Sequence, residues 1–155
     1  MPELATRAIQ PEFLCAPDLL APDGAMGGWL LDPPGGLIQF LKPVRGTTEL
    51  ADWLVGPAFD VLHAQFPDRN DLWLVLDLTH MVSRSAAARS ILLHSAKVLR
   101  SRFARIFVVP PAKYPPMYIK GFHASVGFLR LLGMNVTVAG SSRAVIERYG
   151  IKTLR

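Results

Sequence analysis

Near the middle of the chain, Asp77, His80 and Ser83 supply the letters of a nucleophilic triad. A serine activated by a histidine base, itself oriented by a carboxylate, would carry out acyl transfer or hydrolysis. Their spacing speaks against that chemistry. All three fall in one loop, and no strained GxSxG elbow presents the serine. The expected role of Asp77, at the end of an apolar run, is to accept hydrogen bonds from backbone amides of the loop it precedes. The chain's four histidines, His63, His80, His94 and His123, do not pair at metal-ligand spacing with one another or with Cys15, the single cysteine. No metal site and no internal disulfide are therefore expected. No GxGxxG follows a strand and no GxxxxGK(S/T) occurs, so no nucleotide cradle is expected and no cofactor is assigned.

The elements that must position these residues are best read from Leu72 to Arg100, LWLVLDLTHMVSRSAAARSILLHSAKVLR. Leu72 to Leu78 is apolar at nearly every position, as in a strand covered on both faces. A short loop follows, and Ser83 or Ser85 caps a helix reaching about Arg102. Ala88, Ile91, Leu92, Ser95, Val98 and Leu99 form its inner stripe, with Arg89, Lys97 and Arg100 on the outer side. In open α/β sheets the carboxyl end of such a strand is where function usually gathers.

Upstream, Trp29–Leu31 and Leu37–Leu41 read as two short strands around the turn signal Asp32-Pro33-Pro34-Gly35-Gly36. Thr47 or Thr48 caps a helix whose apolar face includes Leu50, Trp53, Leu54, Ala58, Val61 and Leu62. Pro57 lies inside that pattern, which predicts a kink or two short helices. Downstream, Ile106–Val109 is a third core strand. A proline-stiffened loop around Lys113 and Tyr114 leads to a helix over Met117–Leu132, with Tyr118, Phe122, Val126 and Leu129 inward and Gly133 ending it. Val136–Val138 is the last strand, and Ser141 or Ser142 caps a final helix stopped by Gly150. The order predicts an α/β domain with a mixed, mainly parallel sheet of about five strands, opening with an antiparallel hairpin.

The chain has 155 residues, half of them hydrophobic, with a formal net charge of +5. That is enough for one domain with a proper core. No apolar run approaches the ~20 residues needed to span a bilayer, and no secretory signal is read at the start, so a cytoplasmic location is the default expectation. Residues 1–27, interrupted by Pro2, Pro11, Pro17 and Pro22, read as an arm, and residues 28–155 as the domain. The basic residues are scattered arginines. Arg84, Arg89, Lys97, Arg100, Arg102 and Arg105 make one basic helix and its exit without interleaved aromatics, so nucleic acid is not the expected partner. Phe128 and Leu131 project from the outer side of their helix. They mark either an interface or a patch covered by the arm through Phe13, Leu14 and Leu19, and the sequence leaves both open.

This order resembles the STAS fold of bacterial anti-sigma-factor antagonists and the related STAS/SEC14-like group. The likeness is carried by LVLDLTHMV (Leu74–Val82), SAAARSILLHSAKVL (Ser85–Leu99), RIFVVP (Arg105–Pro110) and FLRLLGMNVTVAGSSRAVIERYG (Phe128–Gly150), and it covers roughly residues 28–151. Antagonists usually carry Asp-Ser-Ser-Gly at the start of the helix after the central strand, with one serine phosphorylated. Here those positions are Ser85, Ala86, Ala87 and Ala88. The usual acceptor is absent, and Ser83 and Ser85 are the nearby candidates for phosphorylation.

The resemblance implies a non-enzymatic regulatory or scaffolding domain of bacterial signalling type. It would dock a protein partner, such as a regulatory protein or a kinase, through Thr79 to Ala88 and the following helix. The expected contact residues are Thr79, His80, Ser83, Arg84, Ser85, Arg89, Phe128 and Leu131, with the arginine forks pairing to carboxylates. A second copy of the chain is admitted as a partner. The SEC14 side of the resemblance implies the alternative, a small-molecule or lipid sensor with an apolar cavity between the Phe122 helix and the sheet.

Overall fold

A computed structural model describes residues 15–95, 100–112 and 116–154, the side chains of 117 and 118 excepted. Phe13, Leu14, Lys97, Val98, Leu99, Lys113 and Tyr114 lie outside the described residues.

The apolar run in the middle of the chain becomes β5 (Leu72–Asp77), the centre of the sheet. It pairs in parallel with β3 (Gly35–Phe40) on one side and β7 (Phe103–Val109) on the other. β7 in turn pairs in parallel with β8 (Val136–Val138). β2 (Met26–Asp32) joins β3 as the expected antiparallel hairpin. At the hairpin's end, the backbone of Gly35 runs so close to Trp73 that a Cβ there would strike the Trp73 carbonyl oxygen. Only glycine permits that approach.

These five strands are the ones the sequence predicts. Two short edge strands, β1 (Leu19–Leu20) and β9 (Lys152–Thr153), extend the sheet to seven. Both lie along the outer edge of β2, β1 against Gly27–Gly28 and β9 against Leu31–Asp32. Asp18 completes the seam, its carboxylate accepting from Leu30 N at 2.8 Å. Residues 18–27, read from sequence as the end of an arm, are thus integrated into the sheet, with Ala21, Ala25 and Met26 buried. The pairing satisfies amides that would otherwise form an open, aggregation-prone edge.

Side chains alternate across the sheet. Ile38, Phe40, Leu72, Leu74, Ile106 and Val108 face the larger core. Trp29, Leu31, Leu37, Val75 and Phe107 face the smaller one. On the larger side pack α1 (Thr48–Trp53), a π-helical turn (Leu54–Ala58), α2 (Phe59–Gln65), α3 (Ala86–His94) and α4 (Pro116–Leu131). The smaller side is covered by α5 (Ser142–Tyr149). There Arg105 stacks over Trp73 and Tyr149, at 5.0 and 5.6 Å from their ring centroids.

The capping expectations resolve cleanly. Thr47 caps α1 by accepting from Leu50 N, Ser85 caps α3 by accepting from Ala88 N at 3.0 Å, and Ser141 caps α5. Gly133, at φ 84°, follows α4. The interruption at Pro57 takes the form of the π-helical turn, because proline has no amide to offer the carbonyl of Trp53.

Two local expectations are corrected. The stretch Met81–Arg84, expected as open loop, is strand β6, paired in parallel with β4 (Val44–Gly46) in a separate two-stranded sheet. Met81 is buried and Val82 exposed, a two-residue period too short to register as a strand signal. β7 begins at Phe103 rather than Ile106, reaching back to pair with Leu72 through a register shift.

Candidate functional site

At the carboxyl end of β5, Asp77 is buried and fully engaged. One carboxylate oxygen accepts from Thr79 N at 2.9 Å and from Thr79 Oγ1, and the other accepts from Ser142 Oγ. The carboxylate thereby ties the turn after β5 to the first residue of α5, across 65 positions of sequence. The bond from Thr79 N is the kind expected of Asp77 from sequence, and the hydroxyls of Thr79 and Ser142 add to it. Around it the turn is pinned by backbone bonds, Leu78 N to Val109 O, Ala112 N to Thr79 O, and Ser85 N to Gly46 O. Thr79 and His80 are half-buried at this turn, and Ser83 lies in β6 opposite Arg45. Ser85 spends its hydroxyl on the α3 cap.

The two arginines expected as partner contacts are both half-buried. Arg84, at the end of β6, and Arg89, in the first turns of α3, both line a cleft between the sheet and the helices. Helical geometry explains the position of Arg89. Three residues along an α-helix bring a side chain back to within about 60° of its starting direction. Arg89 therefore lies beside Leu92, on the flank of the buried stripe, and not opposite it. Its Nε is shut off from solvent and has no hydrogen-bond partner. The guanidinium of Arg84 reaches helix α4, its Nη2 standing 3.3 Å from where a Cβ on Gly121 would be. The absence of that Cβ makes room for the approach.

The cleft has two lobes that share Leu54, Leu76, Leu78, Leu92 and Phe122. One lobe, of about 110 Å³, runs beneath α4 toward Val126, Leu129 and Met134. The other, of about 70 Å³, runs toward Met26, Phe40 and Leu50. Among the described residues, Arg84 and Arg89 are the charged groups lining the lobes, and no acidic side chain joins them. Of the other polar side chains, Thr47 is engaged at its cap and Ser125 donates to Gly121 O. The sequence places a cavity between the Phe122 helix and the sheet, and a cleft lies there. It does not foresee the lobe toward β2 and β3, because Met26 reads as part of the arm and Phe40 simply as a strand residue.

Phe128 and Leu131 lie on the outer face of α4, Leu131 88% exposed and Phe128 46%. Ile119, earlier in α4, and Leu132, just after its end, are also exposed. Leu19, one of the arm residues named as their cover, packs instead against the larger core. Among the described residues, no group of three or more His, Cys, Asp or Glu side chains could hold a metal ion, and no helix is long and apolar enough to cross a membrane.

An antiparallel hairpin feeding a parallel β3-β5-β7-β8 sheet, with most helices on one face and one short helix on the other, defines a SpoIIAA-like (STAS) α/β fold. A solved structure with this architecture is that of an uncharacterised protein of the DUF3478 family from Shewanella loihica PV-4, described as having a SpoIIAA-like fold. It superposes with a TM-score of 0.54 at 11% sequence identity, covering 80% of this chain and 91% of that one. No protein-family model matches the chain, and no curated protein matches it.

Proposed function

We propose that this chain is a non-enzymatic binding domain that holds a small apolar ligand in the cleft between the sheet and helices α3 and α4. The observation that carries the proposal is the cleft itself, walled by leucines and Phe122 and bordered by the half-buried Arg84 and Arg89. Concave sites with mostly apolar walls and a few polar groups are the usual form of small-molecule pockets. The engagement of Asp77 by Thr79 and Ser142 supports a structural, not a catalytic, turn after β5. Native mass spectrometry of freshly purified protein is the test. A copurifying small molecule that leaves on denaturation is expected. A bare mass, with no uptake of dodecanol as an apolar probe, refutes the proposal.

A second reading is favoured by the exposure of Leu131 and Phe128. In it the outer face of α4, with the Thr79–Ala88 segment, docks a protein partner or a second copy of the chain. In that case a Leu131→Asp substitution releases the partner in an affinity purification without moving the melting temperature.

A further inference from the structure

Resting on the cleft as a ligand site, we propose that its occupant is a single-chain amphiphile ending in a carboxylate, a fatty acid, with the carboxylate on Arg89 and the chain along the lobes. Three features point to that chemistry. The walls are almost wholly carbon, which selects an apolar body. The lobes are narrow, about 110 and 70 Å³, and meet along a shared wall, which suits one slim chain rather than a two-chain lipid. The charge bordering them is all of one sign, and the Nε of Arg89 is a buried donor without an acceptor. That Nε is closed off, so a ligand oxygen would meet the terminal nitrogens of the guanidinium, which carry its remaining donors. A guanidinium edge offers parallel donors that match the two oxygens of a carboxylate. The low-dielectric surroundings strengthen that pairing relative to water.

A neutral apolar molecule would leave the charge of Arg89 without a counterion, and an alkyl ammonium would be repelled by both arginines. A carboxylate completes the hydrogen bonding and offsets the charge. Its position beside the first turns of α3 links occupancy to the β6–α3 segment, since Arg84 and Ser85 adjoin the same helix start.

Isothermal titration of the full chain with laurate, dodecanol and dodecyl phosphate, each below its aggregation concentration, tests the assignment. Laurate binding is expected to be at least about tenfold tighter than dodecanol, the difference a charge-assisted hydrogen bond supplies. Arg89→Met should reduce laurate to the level of dodecanol and leave dodecanol unchanged. Leu129→Trp, which fills the lobe beneath α4 without touching the arginines, should abolish binding of both while the circular dichroism spectrum is retained. Equal binding of laurate and dodecanol to the wild-type chain overturns the carboxylate assignment but leaves the cleft as an apolar site. Dodecyl phosphate binding more tightly than laurate also overturns it, in favour of a phosphate head. Failure of every probe to bind overturns both the assignment and the ligand-site reading beneath it.

Discussion

Replacing Arg89 by methionine should make the empty protein more stable while removing its preference for an anion. Methionine keeps an unbranched apolar stem of similar reach and a similar helix propensity, so α3 and the packing along Leu92 are preserved. What disappears is a guanidinium whose Nε is buried without an acceptor. An unsatisfied buried donor costs roughly 1–3 kcal/mol. Arg89 as a whole is only partly buried, so the low end applies, about 1 kcal/mol in favour of the variant. For a chain of this size that corresponds to a rise of about 2–4 °C in melting temperature. The measurement is thermal and urea unfolding of delipidated wild type and variant side by side, with the urea slope checked for constancy. A variant destabilised by 1 kcal/mol or more would show that Arg89 holds the fold together, and the inference that it waits for a ligand would fail.

Other consequences can be measured on the same footing. Ser85→Ala removes the cap that accepts from Ala88 N and should lower stability by about 1 kcal/mol in urea unfolding. Ser83→Ala should change it by less than about 0.5 kcal/mol, since Ser83 lies in β6 and caps no helix. Ser142→Ala leaves one oxygen of the buried Asp77 carboxylate without its hydroxyl donor, and a loss of about 2 kcal/mol is expected. A loss below about 0.5 kcal/mol would mean that the tie between β5 and α5 is not structural. Arg69 beside Asp71 holds that carboxyl below the usual carboxylate range, chiefly through their side-chain hydrogen bond. The small stability it brings is present above the unfolded carboxylate pKa and is lost as pH falls through the folded one. Arg69→Ala should move the Asp71 titration upward when followed by carboxyl NMR, with little change in melting temperature because the pair is exposed.

Much of the architecture was legible because its signals are local. Leu72–Leu78 is unbroken apolar sequence, and Asp32-Pro33-Pro34-Gly35-Gly36 admits little but a turn. Thr47, Ser85 and Ser141 each precede an amphipathic stretch by the spacing a cap requires. What escaped were features with no local signature. β1 and β9 are two residues long and exist because the edge of β2 needs partners, which no periodicity in Leu19–Leu20 or Lys152–Thr153 can announce. β6 is held by β4, more than 30 positions earlier, and its four residues looked like loop.

The site was legible only in part. A cavity beside Phe122 could be guessed from a helix lying on a sheet, but its shape depends on how Leu54, Leu76, Leu92 and Phe122 fail to fill the space between four separate elements. An arginine in a helix is usually solvated, which favours an outward reading of Arg89, although helical spacing already sets it beside Leu92 on the flank of the apolar stripe. Asp77 was read correctly as a hydrogen-bond acceptor for its own turn. Its second partner, Ser142, belongs to a helix at the far end of the chain and was read only as one of two capping serines.

The most direct test is a methyl-resolved NMR titration of the 155-residue chain with laurate. A ligand in the cleft should shift the methyls of Leu54, Leu76, Leu92 and Val126 together and leave Leu131, on the outer face of α4, unmoved. Shifts confined to Leu131 and its exposed neighbours, or none at saturating laurate, would contradict a binding site in the interior.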